Sequence, residues 1–309
     1  MSVTLSAHSL SAVVARLRAA GCVFAEDEAD LLVAEARSPA DLSAMVERRA
    51  AGLPLEQILG WAEFCGLRMM IEPGVFVPRR RTEFLVQEAV RLAHSHGTTH
   101  SRPGTTGDGD QAAGPADRPV IADLCCGSGA VGVALAVALG PAELHAADID
   151  PAAVRCARRN LATVGGQVYQ GDLCDPLPAA LRGRVNLLVA NAPYVPTKEV
   201  GLLPAEARLH EPRVALDGGV DGLHILRRVA AEALVWLAPG GHLLVETSER
   251  QAAPIAAVMT RGGLTARVAV CGELDTSVVI GTKPVGQVLR MGRACFAGRI
   301  RGEGITDGG

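Results

Sequence analysis

The chain has 309 residues, enough for one large domain and a smaller one. Hydrophobic residues make up 49% of it, which is ample for a core, while the net charge of -3 gives no basic field that would hold it on nucleic acid or an anionic membrane. No apolar run approaches the roughly 20 residues of a membrane span, and the N-terminus lacks the features of a signal peptide. We therefore expect a cytoplasmic protein with no membrane partner and no strong nucleic-acid signal.

The eight cysteines are spread along the chain and form no Cys-x-x-Cys pair. This spacing is typical of reduced thiols, and not of a disulfide framework or a zinc site. The adjacent Cys125 and Cys126 leave a redox switch open as an alternative, although small residues filling a loop explain both. His94, His96 and His100 have no thiol or acid nearby at a ligand spacing, so no metal is expected.

The first part of the chain, residues 1–72, is predicted to form a small helical domain followed by a hairpin linker. Apolar residues at helical spacing indicate two helices, and Asp41 is expected to cap a third one that ends near Ala50. The helices are predicted at 9–17, 26–37 and 41–50, and the hairpin strands at 61–64 and 67–71. Two roles stay open for this domain, which are substrate docking and a stabilising cap.

Residues 73–284 are predicted to form the larger domain. From residue 120 onward, apolar strands alternate with helical segments, which is the pattern of a doubly wound α/β sheet. A low-complexity stretch at 95–119 is expected to be a disordered insertion, and residues 285–309 a flexible tail. Further helices are predicted at 82–94, 221–237 and 250–261, and further strands at 242–246, 265–270 and 277–282.

A glycine-rich turn follows the first strand of this domain. The strand covers residues 120–124, and the turn has the spacing Gly127-x-Gly129-x-x-Gly132 before a helical stretch. Glycines at such a strand-to-helix turn let the backbone approach a ligand closely. The spacing alone is weak support for a cofactor site, because a dinucleotide search would also accept it.

Acidic residues follow the next two strands. Asp148 ends the second strand about twenty residues beyond the glycines, where a carboxylate can accept hydrogen bonds from ribose hydroxyls. Asp172 follows the third strand and can reach an adenine amino group. Because ligands of open α/β sheets bind at the carboxyl ends of the strands, these acids are expected to line one nucleoside site.

The most specific motif is Asn191-Ala192-Pro193-Tyr194, directly after the buried strand at 185–190. It presents an amide, a restrained backbone and an aromatic ring at one edge of the sheet. These groups suit a site that holds a planar nitrogen during a reaction. A nicotinamide enzyme has no evident use for such a motif, so we favour S-adenosylmethionine over a dinucleotide as the cofactor. A turn in which Asn191 bonds its own backbone is the alternative.

From about Pro54 to Pro284 the chain resembles the HemK/PrmC family, which methylates the side-chain nitrogen of a protein glutamine. The resemblance rests on several segments together. They are Pro54 to Gly60, Ala62 to Leu67, Val77-Pro78-Arg79 with Thr82-Glu83, Asp123-Leu124 with Gly127-Ser128-Gly129, Asn191-x-Pro193-Tyr194, and Glu211 to Leu216. A methyltransferase outside the family is not expected to carry the block from Pro54 to Glu83.

The resemblance implies a class I (Rossmann-like) S-adenosylmethionine-dependent methyltransferase with a seven-stranded sheet and a small N-terminal helical domain. It implies a protein substrate with an exposed glutamine, such as a peptide chain release factor. The predicted catalytic residues are Asn191, Pro193 and Tyr194. Cofactor binding is predicted for Arg79, Thr82, Asp123, Cys125, Gly127, Gly129, Asp148, Ile149, Asp172, Leu173 and Asn191, and substrate binding for Asn191, Ala192, Pro193, Tyr194 and Glu211.

Three departures from the family pattern indicate a divergent branch. Ala192 stands where the family usually has Pro, Arg80 and Arg81 replace a Pro and an acid, and Cys125 replaces a Gly. The carbonyl of residue 192 survives its change, and Pro193 still biases that residue towards extended geometry, so we expect activity to be retained.

Two other functions stay open at this point. One is an N-methyltransferase for an amino group of a small metabolite or of nucleic acid. The other is a family member that has lost catalysis and serves as an interaction module.

Overall fold

The structure is a computed structural model that describes residues 7–97 and 118–286. The predicted disordered insertion at 95–119 and flexible tail at 285–309 lie outside the described residues except at their margins. At the first margin, the helix predicted to end at His94 continues to Gly97. Within the described ranges, no helix is both long and apolar enough to cross a membrane.

The N-terminal part is helical, as predicted. Its helices bury Leu17, Ala29 and Leu32 in a core of their own. The third helix begins earlier than predicted, because Ser38 and not Asp41 is its N-cap: the Ser38 side chain accepts the N–H of Asp41 and a proline follows at the first helical position. The fourth helix was not predicted. The four helices are α1 (Ala7–Ala19), α2 (Ala25–Glu35), α3 (Pro39–Ala50) and α4 (Leu55–Leu59).

A two-stranded hairpin follows, with strands β1 (Trp61–Phe64) and β2 (Leu67–Met70). It is tied to the large domain by Asn160, which is buried on a helix of that domain. The Asn160 side-chain nitrogen donates to the carbonyls of Met70 and Ser128, each at 2.9 Å, and its oxygen accepts the N–H of Met70 at 2.9 Å. One buried amide therefore joins the hairpin to the glycine-rich turn.

The large domain is built on a seven-stranded sheet in the order β5-β4-β3-β6-β7-β9-β8. The first five strands in that order are parallel, while β9 runs antiparallel to both β7 and β8. The predicted α/β fold with seven strands is confirmed. The strands are β3 (Val120–Leu124), β4 (Glu143–Asp148), β5 (Gln167–Gln170), β6 (Val185–Ala190), β7 (Leu237–Thr247), β8 (Thr265–Cys271) and β9 (Thr276–Thr282).

Helices pack on this sheet and bury its central strands, whose apolar runs β3 and β6 are almost wholly inaccessible to solvent. The helices are α5 (Glu83–Gly97), α6 (Ala130–Leu139), α7 (Pro151–Leu161), α8 (Ala205–His210), α9 (His224–Trp236) and α10 (Glu249–Arg261). The chain order reverses across the sheet next to β3, with β4 on one side and β6 on the other. Such a switch point opens a crevice at the carboxyl ends of the strands, where a ligand can bind.

Candidate active site

A deep cleft lies at this switch point, and we call it the main cleft. Its walls come from the turns after β3, β4 and β6, from the segment before α5 and from α9. The residues that line it are Phe76, Pro78, Thr82, Asp123, Cys125, Cys126, Gly127, Ser128, Ala130, Val131, Ala147, Asp148, Ile149, Asp150, Ala153, Asp172, Leu173, Asn191, Pro193, Pro212, Val214, Ala215, Ile225 and Arg228. Most residues predicted to bind the cofactor are thus brought together.

The glycine-rich turn contributes Gly127 and Ser128 to the main cleft, whereas Gly129, also predicted to bind the cofactor, is not among the lining residues. Gly127 and Gly129 have φ values of 55° and 80°, in the left-handed region that side chains disfavour. At Gly129 a Cβ atom would also lie 2.3 Å from Leu161 Cδ1, so a side chain there would require Leu161 to move. Gly127 can therefore bring bare backbone up to a ligand, whereas Gly129 lets the turn pack closely against α7.

Cys125 begins this turn with a φ of 54°, although it is not a glycine. A side chain in the left-handed region costs about 1–2 kcal/mol relative to its usual conformations. The strain explains why glycine suits this position, where the family usually has it and this chain has Cys125. Burial raises the pKa of the Cys125 thiol, and the nearby carboxylates of Asp148 and Asp123 raise it further, so the thiol is held protonated.

Asp123 ends strand β3 and is almost fully buried, with 1% of its surface exposed. Its Oδ2 accepts the N–H of Gly132 at 2.9 Å, which ties the strand to the start of α6. Burial raises the pKa of Asp123 to about 7, against the opposing effect of this hydrogen bond, and the charge of Asp148 adds to the rise. A cationic group bound here would favour the ionised carboxylate.

Asp148, at the end of β4, holds its own turn together. Its Oδ2 accepts the N–H of Gly127 at 2.8 Å, and its Oδ1 accepts the N–H of Asp150 at 2.9 Å. Burial raises the pKa of Asp148, although these backbone donors oppose the rise. Each carboxylate oxygen has two lone pairs, so the same oxygens can also accept hydroxyl donors from a ligand.

Asp172 follows the neighbouring strand β5, and its Oδ2 accepts a hydrogen bond from Arg228 at 2.7 Å. Ile149 and Leu173 lie on the same cleft, and half of the Ile149 surface is exposed. Apolar side chains beside a carboxylate suit a flat base that carries an amino group. Arg228 was not predicted, because its pairing with Asp172 depends on the packing of α9.

Asn191 is oriented by Thr82. The Asn191 Nδ2 atom donates to Thr82 Oγ1 at 3.2 Å, and Thr82 is buried. With the nitrogen of the amide used in this way, the Oδ1 atom of Asn191 is left to accept a hydrogen bond from a ligand. Both residues line the main cleft.

A second, smaller pocket adjoins the main cleft, and we call it the side pocket. It is lined by Phe76, Arg81, Asn191, Ala192, Pro193, Tyr194, Val195, Ala215, Leu216 and Glu246. The two cavities share Phe76, Asn191, Pro193 and Ala215. The motif at 191–194 therefore stands at the junction between them, which is where two bound molecules can meet.

Tyr194 is held in the side pocket by Glu246 at the end of β7. The Tyr194 hydroxyl donates to Glu246 Oε1 at 3.1 Å, and Arg81 Nε donates to the same oxygen at 3.2 Å. Burial raises the pKa of Tyr194, and the Glu246 charge adds to the rise, so the hydroxyl stays protonated. The guanidinium of Arg81 lies 5.8 Å from the centre of the Tyr194 ring.

Arg79 and Glu211, two of the predicted site residues, are bound to each other outside both cavities. Arg79 Nη2 lies 2.6 Å from each oxygen of the Glu211 carboxylate, which is buried and also accepts the N–H of Val77. Their predicted ligand contacts stay predictions. The structure gives them a bracing role between the segment before α5 and the loop after α8.

Comparison with known proteins shows the fold and the family of the chain. A family model described as the methyltransferase small domain matches residues 115–220. The catalytic domain of hMettl16 superposes with a TM-score of 0.51 at 12% identity, covering 77% of this chain and 81% of that one. At that identity the superposition shows the fold, which is that of a methyltransferase.

Two curated relatives are considerably closer in sequence. The release factor glutamine methyltransferase of Geobacter sulfurreducens is 37% identical over 231 residues, covering 73% of this chain and 72% of its own length. The 4-amino-L-phenylalanine/4-methylamino-L-phenylalanine methyltransferase of Streptomyces pristinaespiralis is 36% identical over 220 residues, covering 71% and 69%. The chain therefore belongs to the HemK/PrmC family, that of the release factor glutamine methyltransferases, and is a methyltransferase.

Proposed function

We propose that this protein transfers a methyl group from S-adenosylmethionine to the side-chain amide nitrogen of a glutamine in a protein, with a peptide chain release factor as the leading substrate. The observation that carries the proposal is the fixed orientation of Asn191, whose Oδ1 is left free to accept an N–H at the junction of the two cavities. The relative in Geobacter sulfurreducens, named for this activity, supports the same substrate.

The residues of the main cleft fit S-adenosylmethionine. Asp148 can accept the ribose hydroxyls, and Asp172 the adenine amino group, with Ile149 and Leu173 against the base. The buried Asp123 and the backbone of Gly127, which both line the cleft, suit the charged amino acid part of the cofactor. When bound, the cofactor supplies an electrophilic methyl group on a sulfonium sulfur.

The motif at 191–194 prepares the acceptor nitrogen. An amide nitrogen is a poor nucleophile because its lone pair is delocalised into the carbonyl, so the enzyme must hold it in line and stabilise the charge that develops. Asn191 Oδ1 accepts one N–H and the carbonyl of Ala192 accepts the other. The Tyr194 ring stacks on the planar amide, and its face favours the positive charge.

The test follows a labelled methyl group into three kinds of acceptor. The full-length protein is incubated with methyl-tritiated S-adenosylmethionine and, separately, a release factor, total nucleic acid and a small-molecule extract. We expect label in the release factor, located on one glutamine by mass spectrometry. Asn191→Ala should lose most of this activity, and near-normal turnover in that variant would contradict the proposal.

A second candidate is methylation of an amino group on a small amino acid. Two observations favour it: the similarity to the Streptomyces pristinaespiralis enzyme, and the guanidinium of Arg81 in the side pocket, which can bind a carboxylate. Label in the small-molecule extract, and none in protein, would support this candidate over the first.

A further inference from the structure

One oxygen of Glu246 has no assigned task in the fold. The carboxylate is buried, with 1% of its side chain exposed, and it lines the side pocket together with Asn191 and Tyr194. Its Oε1 accepts both neighbouring donors, whereas Oε2 has no hydrogen-bond partner among the described residues. A buried carboxylate oxygen without a donor is costly, so a donor is expected from a molecule bound in the pocket.

The two bonds made by Oε1 do not require a carboxylate. The Tyr194 hydroxyl and Arg81 Nε both donate, so the carbonyl oxygen of a glutamine would accept both equally well. A glutamine would lack the negative charge and would have no acceptor in place of Oε2. Support of Tyr194 therefore does not explain why this residue is an acid.

We propose that Glu246 is a catalytic residue whose free Oε2 stabilises the positive charge that develops on the acceptor nitrogen and takes its proton. This inference rests on the proposed function and deepens it. An amide nitrogen has two N–H groups, so Glu246 Oε2 shares one of them with Asn191 Oδ1 or the Ala192 carbonyl, and all three oxygens line the side pocket around the acceptor nitrogen.

The proton and electron balance is complete. The nitrogen lone pair forms the new N–C bond while the C–S bond breaks and its electron pair stays on sulfur. The nitrogen, now cationic, releases a proton to Oε2 and becomes a neutral methylamide. The protonated Glu246 later returns this proton to solvent.

Substitution of Arg81 distinguishes a catalytic role of Glu246 from a role as the ion-pair partner of Arg81. Arg81 bonds only Oε1, and nearly half of its side chain is exposed, so solvent screens much of its charge. Arg81→Gln removes the ion pair but keeps the carboxylate, while Glu246→Gln removes the charge but keeps an acceptor for Arg81.

The experiment measures kcat and KM of the full-length enzyme with a release factor as acceptor, and the Kd of S-adenosylmethionine by calorimetry. For Glu246→Gln we expect kcat to fall about 100- to 1,000-fold, the range expected for loss of a charge-stabilising or proton-accepting group, with the cofactor Kd within about twofold. A kcat within about threefold of wild type would overturn the role. An equal loss in Arg81→Gln would also overturn it, because the ion pair would then be responsible.

A second pair of variants covers the case in which Glu246→Gln does not fold. Glu246→Asp and Glu246→Asn have the same size and differ in charge, so kcat should be at least about tenfold higher in the Asp variant. Equal values would contradict the inference. If wild type methylates only a small amine, the proposed substrate is wrong and the same comparison is made on that amine. If wild type methylates no acceptor, both proposals are wrong.

Discussion

Thr82 Oγ1 accepts a hydrogen bond from Asn191 Nδ2 at 3.2 Å, across 109 residues of sequence. This bond places the Asn191 nitrogen against Thr82 and leaves Oδ1 to accept an N–H from the acceptor. Without it, the amide can rotate and present its nitrogen, which repels an N–H donor.

The first prediction concerns this bond. Thr82→Val keeps the shape of the buried side chain and removes the oxygen, so we expect kcat to fall about tenfold, corresponding to about 1.4 kcal/mol. Thr82→Ser keeps the hydroxyl and should recover most of that loss. Steady-state methylation kinetics check both, and an equal loss in the Val and Ser variants would show that the methyl group of Thr82, not its oxygen, is what matters.

The second prediction uses the unequal burial of Arg79 and Glu211. The carboxylate of Glu211 is 1% exposed, whereas a third of the Arg79 side chain is in contact with solvent. Arg79→Met strands a buried charge and should lower the free energy of unfolding by about 3 kcal/mol. Glu211→Gln leaves an arginine that water can solvate, and should cost about 1 kcal/mol. Urea denaturation measures the free energy of unfolding of both variants. A larger loss in Glu211→Gln than in Arg79→Met would contradict this prediction.

The third prediction concerns the strained residue at the start of the glycine turn. Cys125 has a φ of 54°, which a β-branched side chain tolerates least. Cys125→Val should cost about 2 kcal/mol of stability, whereas Cys125→Gly should change it by less than about 1 kcal/mol, since relief of strain offsets lost packing and added chain entropy. Thermal unfolding distinguishes them, and equal stability of the two variants would argue against strain at this residue.

The fourth prediction is a pH dependence of stability caused by Asp123. Its pKa in the folded chain is about 7, above its value of 3.8 in an unfolded chain. The unfolded state therefore loses its proton first as the pH rises, and stability is lost between about pH 4 and pH 7, with a plateau above. Asp123→Asn should remove this loss, which amounts to about 4 kcal/mol for a shift of this size.

The measurement for Asp123 is denaturation of wild type and the Asp123→Asn variant at about pH 4.5 and about pH 8, on either side of most of this loss. We expect the variant to gain stability over wild type as the pH rises, because the substituted amide cannot ionise and its oxygen can still accept the N–H of Gly132. A difference that is the same at both pH values would show that Asp123 ionises normally in the folded protein.

The site residues that can be predicted from the sequence are those at the carboxyl ends of the strands. Asp123, Asp148, Asp172 and Asn191 each lie at or just beyond the carboxyl end of a strand, and parallel strands end at the same edge of a sheet. The rule also covers Glu246 at the end of β7, which lies outside the segments that carry the family resemblance. Applied to every strand end, the same rule would have identified it.

Other contacts depend on packing that no local pattern encodes. The pairing of Arg79 with Glu211 joins residues 132 apart, and that of Asp172 with Arg228 joins residues 56 apart. The predicted start of α3 at Asp41 was wrong. The helix begins at Ser38-Pro39, and Asp41 instead accepts the N–H of Arg37. That exchange resembles a capping box, in which the acid at the third helical position serves the residues before the helix.

The hydrogen bonds of Asn160 have a consequence for the unfolding of the protein. These three hydrogen bonds join β2 of the hairpin to the carbonyl of Ser128 in the glycine turn. A fragment that starts at residue 73, where the sequence places the domain boundary, would leave this amide without its hairpin partners. We therefore expect the hairpin and the cofactor turn to unfold in one cooperative step, so that protection of Met70 and Gly129 from hydrogen exchange rises and falls together.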